Sequence, residues 1–255
     1  MTTANESVTA LILAGTRPGG DPLALAEGVS HKALLDVGGR NVLDRVIDAV
    51  RGAGLERIVV LADDPEVVAI AEAKGAECLA PATGPSQSVH NALEAFGAPM
   101  LVTTSDHALL RPDWIRQCID DTPEAADLGV MLAPRRAVEE ALPGNKRTYL
   151  KLGDGEWSGC NLFYLKTPRS REAIRLWMRI EQDRKKPWRM VAKIGPGMLL
   201  AYLFGGLSMA DAIRRIGQRI GIRSELVAAR DGLAAVDVDK PQDLELVRAL
   251  VAQGR

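Results

Sequence analysis

Short apolar runs that alternate with helical patterns do most to limit what this chain can fold into. Val8–Leu13, Ile58–Ala62, Met100–Thr104 and Leu128–Ala133 are dominated by Val, Ile, Leu, Met and Ala and show no regular polar face. Strands of that kind are buried on both sides, as in parallel sheets. Between them, Val42–Arg51 repeats Val42, Leu43, Val46, Ile47 and Val50 at helical spacing and closes on Gly52 and Gly54. Pro65–Lys74, Ser88–Phe96 and Pro112–Ile119 read as further helices. The alternation predicts βαβ units and a mainly parallel sheet with helices on both faces.

The pattern is less regular after Pro134. Residues 134–161 are rich in Gly, Arg and Lys, as insertions over active sites often are. Arg169–Asp183 is an amphipathic helix, Ala234–Val238 reads as a strand and Pro241–Ala252 as a closing helix. A helical insertion is expected at about 168–222 within a single domain over 1–255, a length that allows one large α/β domain.

Formal net charge is −1, so nothing in the balance of charge suggests an electrostatic footprint for nucleic acid. Cys78, Cys118 and Cys160 are scattered and odd in number, unlike a disulfide framework or a zinc site. The opening MTTANESVTALILAG lacks a basic segment and a cleavage pattern, so a cytoplasmic location is expected.

Open α/β sheets bind ligands beyond the carboxyl ends of their strands, and three loops there carry chemistry. Ala14-Gly15-Thr16-Arg17-Pro18-Gly19-Gly20 follows the first strand, with His31-Lys32 beyond it. Backbone N–H groups in a glycine loop suit phosphate oxygens, and Arg17 and Lys32 can neutralise a triphosphate. The loop is neither a Walker A motif nor the dinucleotide fingerprint GxGxxG, which disfavours an NAD-dependent dehydrogenase. A plain strand-to-helix turn with two solvated cations is the alternative. Thr103-Thr104-Ser105-Asp106-His107 ends another apolar strand, where Asp106 can reach Mg²⁺ or simply cap a helix. His107 reads as structural or substrate-facing. Val236-Asp237-Val238-Asp239-Lys240-Pro241 places two aspartates on one face of the expected strand, and Asp239 also suits a helix cap.

Taken together, these loops resemble the nucleotidyltransferases related to the molybdenum-cofactor guanylyltransferases and the sugar- and alditol-phosphate cytidylyltransferases. Where that family reads LAAGxGxRMG and then Pro-Lys, this chain has LILAGTRPGG and then His31-Lys32-Ala33-Leu34-Leu35. Ser86-Gln87-Ser88-Val89-His90-Asn91-Ala92-Leu93 is similar to the family's Ser-Val-x-x-Ala-Leu helix start. Ser105-Asp106-His107 matches its metal-binding aspartate, and Asp239-Lys240-Pro241-Gln242-Asp243-Leu244 is close to its D-T-P-E-D-L. Two departures stand out: one loop glycine is missing with a longer stretch from Arg17 to Lys32, and His31 replaces the proline.

The resemblance implies a three-layer α/β/α, Rossmann-like nucleotide-diphospho-sugar transferase fold, GT-A-like, with a mainly parallel mixed sheet. It implies Mg²⁺-dependent transfer of a nucleoside monophosphate from an NTP, CTP or GTP favoured, to a phosphorylated small-molecule or lipid-precursor acceptor, with pyrophosphate released. Arg17, Lys32 and Asp106 are then the catalytic candidates. Asp106 and Asp239 are the metal ligands, with Asp237 in reserve. Leu13, Ala14, Gly15, Thr16, Arg17, Lys32, Ser86 and Ser88 bind the nucleotide. From the basic loop at 145–149 and the stretch after it, Lys146, Arg147 and Asn161 are candidates for the acceptor, a solvated basic loop being the alternative.

Residues 184–206 combine Arg184-Lys185-Lys186, Trp188 and Arg189 with the apolar run 198–204. That pattern suits a buried core helix, a homodimer contact or a peripheral membrane contact, and is too short to span a bilayer, which takes about 20 apolar residues. Outside the nucleotidyltransferases, a GT-A-type glycosyltransferase would ordinarily carry Asp-x-Asp where this chain has Ser105-Asp106-His107, and a non-catalytic nucleotide-binding module would need no metal ligand.

Overall fold

The computed structural model describes residues 8–16, 19–145, 147–182 and 206–255. Strand β1 (Thr9–Ala14) lies between β2 (Ile58–Ala62) and β4 (Met100–Thr104), parallel to both. The short β3 (Glu77–Leu79) edges the sheet beside β2. On the other side β7 (Gly155–Leu165) returns antiparallel between β4 and β5 (Leu128–Pro134), and β8 (Ser224–Ala228) closes that edge parallel to β5. The order is β3-β2-β1-β4-β7-β5-β8, with β6 (Leu150–Leu152) paired to the amino-terminal end of β7. The sheet is mixed and mainly parallel, as expected.

Strand alternation sends side chains to two cores. Ala10, Ile12, Ile58, Val60 and Leu101 pack under α2 (Val42–Gly52), α3 (Pro65–Ala73) and α5 (Pro112–Asp120). Leu11, Val59, Leu61, Met100 and Val102 face α4 (Pro85–Phe96) and α7 (Arg171–Gln182) on the opposite side. Both sets are almost wholly buried, which is why these strands carry no polar face. Ile47 of α2 has no exposed surface, and truncating such a residue to Ala costs about 2–5 kcal/mol. The helices begin where local chemistry dictates: Pro65, Pro85, Pro112 and Pro241 sit in first turns, and the Asn41 and Asp64 side chains accept backbone N–H groups of α2 and α3.

The long stretch between the glycine loop and Lys32 contains a short helix, α1 (Pro22–Ala26), capped by Asp21. The region expected to be irregular holds α6 (Arg135–Ala141) and the β6–β7 hairpin. Beyond residue 205 lie α8 (Met209–Arg219), capped by Ser208 and within the expected helical insertion, and β8, which has no strong sequence signal, and α9 (Pro241–Ala252) ends the chain as predicted. Residues 184–205, the candidate membrane or dimer contact, lie outside the described residues. Among the described residues no helix is long and apolar enough to cross a membrane.

One strand prediction is corrected. Residues 234–238 form no strand: Gly232–Ala235 is a 3₁₀ turn and the chain then runs extended without joining the sheet. Ala234, Ala235, Val236 and Val238 are nevertheless all buried. Burial alone explains the apolar run, and the alternation that resembled a strand survives because Asp237 and Asp239 still face away from that core. Gly232 allows the turn to nest on α6, since a Cβ there would stand 2.2 Å from the Ala137 carbonyl oxygen.

Candidate active site

A cleft of about 840 Å³ opens over the carboxyl ends of β1, β2 and β4, a size suited to a small organic ligand. Leu13, Gly15 and Thr16 line it from β1 and its loop, Asp63 from the end of β2, and Thr104, Ser105 and Asp106 from the end of β4. Pro81, Ala82, Thr83 and Gly84 form a wall leading into α4, and Glu181 enters from α7.

Lys32 is the hub. It opens a 3₁₀ turn, Lys32–Leu34, capped by the His31 imidazole, whose Nδ1 accepts the Ala33 N–H at 3.0 Å. The ammonium is buried and donates to Asp106 Oδ2 at 2.9 Å, Asp239 Oδ1 at 2.7 Å and the Val238 carbonyl at 3.1 Å. The Val238 N–H donates in turn to the Asp106 carbonyl at 3.1 Å. One cation thereby binds the end of β4 to the segment before α9, residues more than a hundred positions apart in the chain. Burial would lower the Lys32 pKa, but the two carboxylates outweigh it and raise it above the ordinary lysine value. Burial likewise pushes the Asp106 carboxyl up, and the Lys32 charge overcomes that and holds it below the usual range.

The glycine loop is held from β2. Asp63 Oδ1 accepts the Thr16 N–H at 3.0 Å and its hydroxyl at 2.7 Å. Arg17 lies outside the described residues. Ser86 and Ser88 are buried at the first turns of α4, and both hydroxyls are engaged within the protein. Ser88 Oγ accepts the Ala82 N–H at 2.8 Å and donates to the Gly84 carbonyl at 2.9 Å, while Ser86 Oγ bonds the Glu181 carboxylate. They shape the wall of the cleft from below.

A second cluster adjoins the hub. Asp237 accepts Arg147 Nη2 at 2.7 Å through one oxygen and Asn161 Nδ2 at 3.2 Å through the other. Asn161 sits in the left-handed region, φ 50°, where the β5–β7 register shifts. A bulge of this sort redirects a side chain, here onto Asp237. Burial, with Asp106 and Asp239 nearby, raises the Asp237 carboxyl above the ordinary value, despite Arg147 opposing it. Lys146 is outside the described residues. His107 is wholly buried and stacks on Trp114 with ring centroids 5.9 Å apart. Burial pushes its pKa down to about 4, so the ring is a neutral structural element.

The donor set fits a Mg²⁺ ion of the kind that takes one or two carboxylates and leaves its other positions to water and phosphate. Asp106 Oδ1 is buried without a hydrogen-bond partner, while its Oδ2 serves Lys32. Asp239 stands about half exposed at the cleft rim, whereas both oxygens of Asp237 are occupied by Arg147 and Asn161. Among the described residues no cluster of three or more His, Cys, Asp or Glu forms an all-protein metal cage.

Sequence reading missed Asp63 and Glu181. Asp63 follows an apolar strand, so the rule that ligands gather at strand carboxyl ends would have found it. Glu181 lies on an ordinary amphipathic helix and had no local signal.

Comparison with known structures places this architecture. A structure described as a hypothetical transferase from Thermus thermophilus matches with a TM-score of 0.80 and 31% identity, covering 94% of this chain and 99% of that one. A CMP:2-keto-3-deoxy-manno-octonic acid synthetase solved with CTP shares the fold, with a TM-score of 0.59 and 17% identity over 98% of this chain and all of its own length (100%). These matches and the fold place the chain among domains of the NTP-transferase kind. The chain belongs to the MobA-like NTP transferase domain family, whose family model matches residues 10–193. The 3-deoxy-manno-octulosonate cytidylyltransferase of Nitrobacter hamburgensis is 32% identical over 123 residues, 45% of this chain and 48% of that protein. The chain thus aligns with about half the length of that curated relative.

Proposed function

We propose that this protein transfers a nucleoside monophosphate, from CTP or GTP, to a phosphorylated acceptor and releases pyrophosphate in a Mg²⁺-dependent reaction. The observation that supports it most is the Lys32 bridge, which holds Asp106 and Asp239 side by side over the strand ends with one Asp106 oxygen left free.

In-line attack of one anion on the α-phosphorus of another is opposed by charge, so alignment and neutralisation carry the catalysis. Asp106 and Asp239 would hold the Mg²⁺, which when bound supplies Lewis-acid neutralisation of phosphate oxygens. Lys32 fixes both carboxylates and adds a positive charge beneath the phosphates. The backbone from Ala14 to Thr16, braced by Asp63, offers N–H groups to the nucleotide, and Arg17 neutralises the leaving pyrophosphate. Arg147, with Asn161, meets the acceptor's anionic group from the β6–β7 side, and Lys146 is a further candidate for that group.

The test is pyrophosphate release with Mg²⁺ and each of the four NTPs, against sugar, alditol and lipid phosphates and a 2-keto-3-deoxy sugar acid. Release that requires one NTP and one phosphorylated acceptor and disappears in Asp106→Asn supports the reading; release with the sugar acid alone keeps the transfer and overturns the phosphorylated acceptor. A protein that shows neither release nor thermal stabilisation by any NTP with Mg²⁺ refutes it.

A further inference from the structure

The two sides of the cleft differ in character. Around Lys32 and Asp106 it is ionic, the place for phosphates. Across the sheet edge, Leu13, Leu61, Pro81, Ala82, Thr83, Gly84 and Pro85 make an uncharged wall fit for a planar base. Into that wall α7 projects one charged group, Glu181. Its Oε2 accepts the Ser86 N–H at 3.4 Å and the Ser86 hydroxyl in a shorter bond. Helix α4 begins at Gly84 with no side-chain cap of its own, so Glu181 answers its N-terminal dipole from another helix. Gly84 is also what admits it, because a Cβ there would stand 2.6 Å from Glu181 Oε1. Capping uses Oε2; Oε1 remains as an acceptor at the uncharged end of the cleft.

We infer that Glu181 is a specificity-determining residue: held by Ser86 at the start of α4, it accepts a hydrogen bond from the amino group of the nucleobase and so selects a base that carries this amine over its counterpart without it. The inference rests on the nucleotidyltransferase reading above. A carboxylate has acceptors only. It suits the exocyclic amine of cytosine or guanine and opposes the carbonyl that uracil presents at the equivalent edge. A glutamine in its place keeps an oxygen for Ser86 and adds an NH₂ that can meet a carbonyl, so Glu181→Gln separates base reading from capping.

The experiment measures dissociation constants of CTP, UTP, GTP and ITP with Mg²⁺ by calorimetry, for wild type, Glu181→Gln and Glu181→Ala, which needs no acceptor. Wild type is expected to prefer CTP over UTP or GTP over ITP. In Glu181→Gln that preference falls by roughly 10- to 100-fold, the range of a lost hydrogen bond to a charged group, and in the pyrimidine pair uracil binding is gained. Glu181→Ala loses the preference without that gain. An unchanged ratio in both variants, an equal weakening of all four nucleotides, or a wild type that prefers neither CTP over UTP nor GTP over ITP overturns the inference. A wild type that binds none of the four overturns instead the nucleotidyltransferase reading on which it stands.

Discussion

The half of the sheet around β1, β2 and β4 and the half around β5, β7 and β8 meet at the Lys32 bridge but are built by different rules. In the first, strands are parallel and each presents its loop directly to the cleft, so Thr16, Asp63 and Asp106 follow immediately or within two residues of a strand end. In the second, β7 returns antiparallel, and its amino-terminal end with β6 flanks the site as a hairpin. Its functional groups come from a bulge, a hairpin approach and an unpaired extended segment: Asn161, Arg147 and Asp237. On the proposed reading, the first half holds a charged phosphate chain over backbone N–H groups, and the second presents buried, mutually paired charges that an acceptor anion reorganises.

Removing the group both halves share should have the largest effect. Asp106→Asn leaves Lys32 with one carboxylate and takes away the free buried oxygen. Pyrophosphate release should fall by roughly a thousandfold or more, the scale of losing a preorganised electrostatic group. Near-normal turnover would show that the bridge is architecture alone.

Lys32→Met is the next step down in activity and the sharpest in stability. It strands Asp106, which is buried, while Asp239 is screened by water, so a loss of about 2–4 kcal/mol is expected, discounted from the cost of breaking a fully buried pair. The raised Lys32 pKa fixes the sign of the pH dependence. The folded protein holds this proton more tightly than the unfolded chain. Its contribution is therefore fully present below the ordinary lysine value of 10.5 and lost as pH rises through the higher folded value. Urea midpoints measured up that alkaline limb should fall in wild type and change less in the variant.

The same contrast explains what was legible in the sequence. Ile58–Ala62, Met100–Thr104 and Pro241–Ala252 can be read with their true bounds, because burial on both faces or a proline start writes them into consecutive residues. Asp106 and Asp239 are legible as candidates because each ends an apolar run. The Lys32 bridge is not, since its partners are 74 and 207 residues away and only the closed fold brings them together. Residues 134–161 read as irregular because β7 is part core and part rim: Gly155, Glu156, Trp157 and Asn161 break the apolar run that would announce a strand. Val236 and Val238 misled in the opposite direction, being buried without pairing.

Arg147→Ala tests the second half alone. Arg147 is mostly buried against Asp237 and makes no ion pair with the described residues of the glycine loop. The KM for the acceptor should rise by roughly 10- to 100-fold, the loss of a charge-assisted contact, while NTP binding stays within about threefold. Steady-state kinetics with each substrate varied in turn decides it. An equal loss for both substrates would mean that Arg147 acts by holding Asp237 in the hub and that the two halves are less separate than their topology suggests.

The smallest effect belongs to the brace of the first half. Asp63 is bound to Thr16 by two hydrogen bonds at the exposed mouth of the cleft, and its carboxyl is held below the usual range because the Thr16 bonds outweigh its desolvation. Asp63→Asn keeps the size and an accepting oxygen but removes the charge, so Thr16 is still held, less tightly. NTP affinity should weaken by roughly threefold to tenfold, the worth of one or two neutral hydrogen bonds at a solvated site, with acceptor KM unchanged. A loss as large as that of Asp106→Asn would place Asp63 among the groups that touch the phosphates themselves. The parallel half would then hold its ligand through side chains at two strand ends, and the backbone of the glycine loop would be secondary.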